Sequence, residues 1–170
     1  MVANAMNTHF EVSGAYLLGL ADAAEWDIQH LRADYGLDTI AVERWYPAQD
    51  VIDFYAAVGS RDGGYFDLVD IGRNIVKHIN YPPHVRTITD ALEMAEAMHH
   101  AGWRNGNPGE LKVEHLSDAH VRMIFCDLPL PVDLVYGMCE AMVRRFVPRA
   151  RNIIVERIEY GPMYIFDMRW

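Results

Sequence analysis

The hydrophobic positions in the first half of the chain recur with helical spacing. Between Leu17 and Tyr35, alternating steps of four and three residues place the apolar side chains on one seam: Leu17, Ala21, Ala24, Ile28, Leu31 and Tyr35. This seam predicts a helix that docks on the core. A homodimer through the Leu17–Tyr35 helix is the alternative, and the shortness of the heptad pattern favours docking. A second helix is predicted after Pro47, ending at Gly59, and a third from Tyr65 to Ile79.

The second half of the chain adds strands to the helices. Thr87 and Asp90 have the spacing of a capping box, which predicts a fourth helix, and the turn-forming cluster 105–109 ends it. Alternating apolar and polar positions then predict two β-hairpins, over 111–125 and 153–170, with a long helix between them that opens at Pro131. This order predicts an α+β fold in which N-terminal helices pack on a four-stranded antiparallel sheet. We expect a single domain over residues 1–170, with a flexible start over residues 1–15.

Composition limits the partners and the compartment. The 15 Lys and Arg residues against 24 Asp and Glu residues give a formal net charge of -9, which argues against nucleic acid and anionic membranes as partners. The chain has no cationic leader and no apolar run approaching the ~20 residues that span a bilayer. Cys126 and Cys139 fall on a predicted strand and a predicted helix face, where buried free thiols are common. We therefore expect a cytoplasmic protein.

No familiar catalytic motif is present. The sequence contains no glycine-rich phosphate loop, no Gly-x-Ser-x-Gly elbow, no Cys-x-x-Cys and no His-Glu-x-x-His. These absences favour a non-enzymatic protein. One basic run, Arg144, Arg145, Arg149 and Arg151, follows the long helix. It could hold an anion or an acidic partner, although we favour an interaction with the negative C-terminal end of the helix.

His99 is the leading candidate for a polar contact inside the fold. His99 and His100 are adjacent, so on a helix they point about 100 degrees apart and only one can face a given pocket. Because Leu92, Ala95 and Met98 form the inward stripe, His99 is the inward residue. Its imidazole could ligate iron axially or bind a small ligand. A core histidine that donates to a backbone carbonyl is the equal alternative.

Aromatic residues could supply the walls of a ligand pocket beside His99. The candidate binding residues are His99, Met98, Trp103, Phe54, Tyr55, Phe125 and Tyr136. An ordinary hydrophobic core would give the same pattern. Zinc at His115 and His120 is disfavoured, because such a site needs two further ligands.

Three segments resemble the heme-nitric oxide/oxygen binding (H-NOX) superfamily and its heme-free relatives. They are 90–99 with its Glu96-Ala-Met-His99, 107–113 with its Asn-Pro-Gly-Glu, and 121–138 with its Leu-Pro-Leu-Pro. The likeness extends from about Tyr46 to Trp170. The heme-free relatives in question are the 4-vinyl reductase domains and a myxobacterial paralogous family of unknown function.

The resemblance implies a bacterial sensory domain, with His99 at the position of the proximal heme ligand. It also implies a heme cofactor, with iron as the only metal and His99 as its ligand. However, the superfamily's heme-propionate motif, Tyr-x-Ser-x-Arg, corresponds here to Phe125, Asp127 and Pro129. These residues supply neither the hydroxyl donors nor the cation, and so disfavour heme.

The function expected from this resemblance is a sensor of a small apolar ligand that signals through a protein partner or a dimer, with His99 as the polar contact. A ligand-free interaction protein of the same fold is the main alternative. An accessory role in tetrapyrrole reduction is a weaker one, because it rests on the 4-vinyl reductase likeness alone.

Overall fold

A computed structural model describes residues 9–21 and 26–170 of the chain. Its elements follow in this order: β1 (Glu11–Ser13), α1 (Gly14–Ala21), α2 (Trp26–Asp34), β2 (Trp45–Pro47), α3 (Ala48–Gly59), α4 (Gly64–His78), α5 (Ile88–Glu93), α6 (Ala95–Ala101), β3 (Trp103–Arg104), β4 (Glu110–Ser117), β5 (His120–Cys126), α7 (Val132–Phe146), β6 (Ile154–Tyr160) and β7 (Met163–Arg169). Helices and antiparallel strands are thus mixed as predicted, and the fold is α+β.

The larger sheet contains the two predicted hairpins. Its four strands lie in the order β4-β5-β7-β6, with β4–β5 and β6–β7 as the hairpins and all pairs antiparallel. Gly161 turns the second hairpin with a φ of +60°, a left-handed conformation that glycine adopts without steric cost. The residues Met123, Phe125, Phe166 and Met168 face the core, and α7 packs on that side of the sheet.

A smaller three-stranded sheet was not predicted. β1 lies at its centre, pairing antiparallel with β2 through Val12 and Tyr46 and with β3 through Val12 and Trp103. Within the start that was expected to be flexible, residues 1–15, Glu11–Ser13 forms the central strand; residues 1–8 lie outside the described residues. The three strands are two or three residues long, too short for an alternating pattern to be recognised in the sequence.

Two predicted helices each correspond to a pair of helices in the described part of the chain. The Leu17–Tyr35 seam falls on α1 and α2, and Ala24 of that seam lies outside the described residues. The fourth helix is divided into α5 and α6 at Met94. Its capping box is confirmed, because the Thr87 hydroxyl accepts from the Asp90 amide and the Asp90 carboxylate accepts from the Thr87 amide.

The buried hydrophobic residues form two clusters. The first lies among α1, α2, α3 and the small sheet, and the second lies between α7 and the large sheet; Leu130 and Met138 pack against both. Leu17 and Ile28 of the seam belong to the first cluster, so they pack within their own chain. In the described part of the chain, no helix combines the length and the apolarity that crossing a membrane requires.

Close packing of α4 against α7 connects the helical part to the sheet. A Cβ atom at Gly137 would lie 2.0 Å from the carbonyl oxygen of Val69, and one at Gly72 would lie 2.0 Å from that of Leu134. The two glycines thus allow the helix backbones to touch. Contacts advance in the same direction along both helices, from Val69 with Gly137 to Arg73 with Glu140, so α4 and α7 run parallel and their C-terminal ends lie together.

Candidate functional site

His99 is buried at the end of α6 and has a hydrogen-bond partner in its own chain. His99 is only 8% exposed, and its Nε2 donates to the carbonyl oxygen of Pro108 at 3.1 Å. The ring meets that of Phe125 edge to face, with the centroids 6.2 Å apart. Burial lowers the pKa of His99 below its usual value, although the Pro108 carbonyl acts in the opposite direction. The imidazole is held by a backbone carbonyl, and its burial favours the neutral form.

The loop after β3 is shaped to present that carbonyl. Gly109 has a φ of +85°, and its amide donates to the Asn107 side-chain oxygen at 3.0 Å. A Cβ atom at Gly109 would also lie 2.5 Å from the carbonyl oxygen of Cys126. The sequence Asn107-Pro108-Gly109 therefore forms a tight turn that holds the Pro108 carbonyl against α6.

A small apolar cavity lies in the first hydrophobic cluster. Its volume is about 20 Å³, room for roughly one water molecule. The lining comes from the small sheet, α1, α3, α4, α7 and a residue two positions before α7: Val12, Tyr16, Leu17, Val51, Tyr55, Ile75, Trp103, Leu130 and Met138. A cavity with such walls is suited to an apolar occupant rather than to an ion.

The structure brings together two of the candidate binding residues at this cavity, Tyr55 and Trp103. His99 does not line it. The other four are placed as follows: Phe54 is buried in the first cluster, Phe125 in the second, Tyr136 packs against the second, and Met98 contributes its carbonyl oxygen to a hydrogen bond.

Tyr16 is a lining residue that sequence reasoning missed. Its hydroxyl donates to the carbonyl of Met98, which ties α1 to α6, and its ring packs against Gly102, where a Cβ atom would meet it at 2.5 Å. Burial raises the pKa of this tyrosine. No local pattern marks Tyr16 as different from its neighbours, because the contact joins residues 82 positions apart.

Trp103, which lines the cavity with apolar atoms, also carries a buried donor without a partner in the described part of the chain. Its indole Nε1 is buried and has no hydrogen-bond partner among residues 9–21 and 26–170, while its ring stacks on Phe10 with centroids 5.1 Å apart. Buried donors without a partner are uncommon in proteins, and each leaves a free-energy cost that an acceptor would relieve.

The residues present do not fit heme. The Nε2 atom of His99, which would have to ligate iron, is engaged with Pro108. Phe125 is buried in the second cluster and Asp127 adopts a φ of +55° beside it, so neither the hydroxyl nor the cation of a propionate site stands at 125–129. The cavity is also far below the several hundred cubic ångströms of typical ligand pockets.

The remaining polar clusters hold the fold together. Glu140 on α7 accepts from Arg73 at 2.5 Å and from Arg144 at 2.7 Å, and these cations keep its pKa low despite burial. Asp167 accepts from Arg122 and His120 on the outer face of the sheet, so His120 is a hydrogen-bond partner of Asp167 rather than a companion of His115. No group of three or more metal-binding side chains occurs in the part of the chain that the structure describes.

The thiols and one residue of the basic run, Arg145, also have structural explanations. Cys126 and Cys139 are both free, and burial raises the pKa of Cys139, which suppresses its reactivity. Arg145 donates to the carbonyl oxygens of Val76 at 2.5 Å and Ile79 at 3.0 Å, at the C-terminal end of α4. The expected interaction with a negative helix end thus occurs on the neighbouring helix.

Comparison with known proteins identifies the fold. No family model and no curated protein matches the sequence. Among solved structures, an oxygen-binding H-NOX domain related to soluble guanylate cyclases is 18% identical with a TM-score of 0.66, covering 92% of this chain and 90% of that chain. A mutant H-NOX protein of T. Tengcongensis is also 18% identical, with a TM-score of 0.64 and coverage of 92% of both chains. Likeness at this identity, over nearly the whole of both chains, establishes that this protein has the H-NOX fold.

Proposed function

We propose that this chain is a non-enzymatic sensory domain of the cytoplasm that binds a small apolar ligand in the cavity between α1, α3, α4 and α7. The observation that carries the proposal is the apolar cavity itself, whose lining includes the ring of Trp103. It is supported by the fold, since a solved neighbour with the same fold binds oxygen. The two free cysteines accord with a reducing compartment.

The ligand is small, or it enlarges the cavity when it binds. As it stands the cavity admits one atom or a diatomic molecule. Met138 is the wall most able to yield, because its side chain is only partly buried and an unbranched thioether adapts to different shapes. Displacement of Met138 would also be felt in the second cluster, against which it packs. A ligand bound in the cavity would thereby shift side chains that pack against the large sheet.

A ligand-free interaction protein is the second candidate, and the bond between His99 and Pro108 favours it. A histidine that has a backbone partner is not poised for a ligand. In this account the ancestral pocket is filled by side chains and the fold serves only as a scaffold for protein contacts.

Thermal unfolding in the presence of xenon, benzene or hemin separates the two candidates. Xenon tests the cavity at its present size and benzene tests a cavity that Met138 has widened. At a hundredfold excess over the dissociation constant, a bound ligand adds about 2.7 kcal/mol, which for this chain length raises Tm by roughly 5–10 °C. We expect such a rise with xenon or benzene, and no heme absorption band from histidine ligation with hemin.

A matched pair of valine substitutions places the effect at the cavity. Val51→Ile adds one methylene to the lining, whereas Val58→Ile makes the same change on α3 at a buried residue that does not line the cavity. The ligand-induced rise in Tm should disappear in Val51→Ile and persist in Val58→Ile. If neither xenon nor benzene stabilises the wild-type protein, the scaffold candidate replaces the sensor.

A further inference from the structure

Positive charge is concentrated in two short segments that the fold brings together. Residues 77–86 and 144–151 contain six of the 15 Lys and Arg residues and none of the 24 Asp and Glu residues. The first segment begins with the last two residues of α4 and the second with the last three residues of α7. Because these helices run parallel, both segments lie at the same end of the molecule.

Direct contacts join the two segments. The rings of Tyr81 and Phe146 meet edge to face with their centroids 5.1 Å apart, and the Arg145 guanidinium lies 4.8 Å above the Tyr81 ring. Arg145 also bonds to the carbonyls at the end of α4. We call the surface formed by residues 77–86 and 144–151 the basic end. Because these contacts join its two segments, it is one continuous surface rather than two independent loops.

Three of its guanidinium groups are not used by the fold. Arg86, Arg149 and Arg151 are exposed, and none of their guanidinium groups has a carboxylate partner within residues 9–21 and 26–170, although the backbone amide of Arg86 donates to Asp90. By contrast, Arg144 is paired with Glu140, and Arg145 donates to the carbonyl oxygen of Val76 near the end of α4. Three unpaired cations beside two aromatic rings, on a protein of net charge -9, call for an explanation beyond stability.

We propose that the basic end is the docking surface for a short acidic segment of a partner protein. Guanidinium groups bind carboxylates in a bidentate manner, and the exposed parts of Tyr81 and Phe146 offer apolar contact between them. A short segment fits better than an extended polyanion, because a nucleic acid or a membrane surface would reach beyond the basic end and meet the rest of a strongly acidic chain.

The basic end lies on the two helices that contribute Ile75 and Met138 to the cavity. A ligand that changes the spacing of α4 and α7 would therefore alter this surface. That coupling rests on the proposed function, whereas docking itself does not, and docking is measured without any cavity ligand.

Fluorescence anisotropy with a labelled deca-glutamate peptide tests the docking surface, with deca-lysine as the probe of opposite charge. We expect deca-glutamate to bind at low salt, to weaken as salt rises, and to lose at least tenfold in affinity in Arg151→Glu. Lys112→Glu is the matched control: it makes the same change in net charge at an exposed lysine on β4 and should alter the affinity less than twofold.

Three results would overturn the proposal. They are no binding of deca-glutamate to the wild-type protein, equal losses in Arg151→Glu and Lys112→Glu, and binding to phosphatidylserine vesicles without binding to deca-glutamate. The last would assign the basic end to a membrane surface. If xenon does not stabilise the protein but the peptide still binds, the result would count against the proposed ligand site and not against the docking surface.

Discussion

At the scale of single residues, His99 shows how a buried titratable group is held neutral. Its Nε2–H donates a hydrogen bond to the Pro108 carbonyl, its ring packs against Phe125, and the positive form would have to be desolvated. The sequence was enough to place His99 inward and His100 outward, as the burial of each confirms. It could not supply the partner, because the Pro108 carbonyl is oriented by a turn whose geometry depends on Gly109.

The pH dependence of stability follows from this environment. His99 has a lowered pKa in the folded protein, so between that value and about 6.5 the unfolded chain binds more protons than the folded one. Its contribution to stability is therefore present above about pH 6.5 and is lost as pH falls, by at most about 1.4 kcal/mol per pH unit. Urea unfolding between pH 5 and 8 should show a shallower pH slope in His99→Gln than in the wild type.

The exposed His115 supplies the control for that experiment. His115→Gln makes the same substitution at an exposed position and is the matched control for the loss of a histidine side chain. Equal slopes in the wild type and His99→Gln would show that His99 is not held neutral by burial.

At the scale of elements, long periodic segments were predictable and short ones were not. The apolar faces of α3, α4 and α7 repeat over three to four turns, and their predicted bounds agree with the structure to within two residues. β1, β2 and β3 have too few residues to show a period. The division at Met94 was hidden because the apolar spacing continues through it from Leu92 to His99.

The contact between α4 and α7 gives a prediction about glycine. In most helix interiors Gly→Ala is favourable by about 1 kcal/mol. At Gly137 the added Cβ would meet the Val69 carbonyl, a backbone atom that cannot rotate away, so Gly137→Ala should lower the free energy of unfolding by about 3 kcal/mol. Chemical denaturation measures the change.

Gly59→Ala on α3 is the matched substitution. The added Cβ there would lie 3.0 Å from the Leu68 Cδ1 atom, at the end of a flexible side chain, and the change in stability should stay within about 1 kcal/mol. A Gly137→Ala protein as stable as the wild type would mean that the two helices are not in backbone contact.

At the scale of the whole molecule, the fold could be predicted from the sequence, but the positions of the cavity and of the basic end could not. The order of helices and hairpins, with the segments around His99 and 121–138, was sufficient to indicate the H-NOX fold. The closer likeness to heme-free relatives remains a prediction. The cavity depends on contacts such as that of Tyr16 with Met98, and the basic end depends on the parallel course of α4 and α7. Neither relation is local in the sequence.

The same tertiary contacts explain why the cavity lies away from His99, beside which a pocket was expected. A histidine on α6 and aromatic residues on other helices gave one candidate site, whereas the structure divides them between two hydrophobic clusters. Of the candidate binding residues, only Tyr55 and Trp103 line the cavity. The sensor account therefore depends on the walls of the first cluster and not on His99.

X-ray diffraction from crystals equilibrated under xenon pressure tests that account most directly. Xenon scatters strongly and prefers dry apolar cavities. The account predicts a xenon peak within van der Waals distance of Val51, Ile75 and Met138. The absence of a peak there in well-diffracting crystals, with the cavity closed by its own side chains, would contradict it.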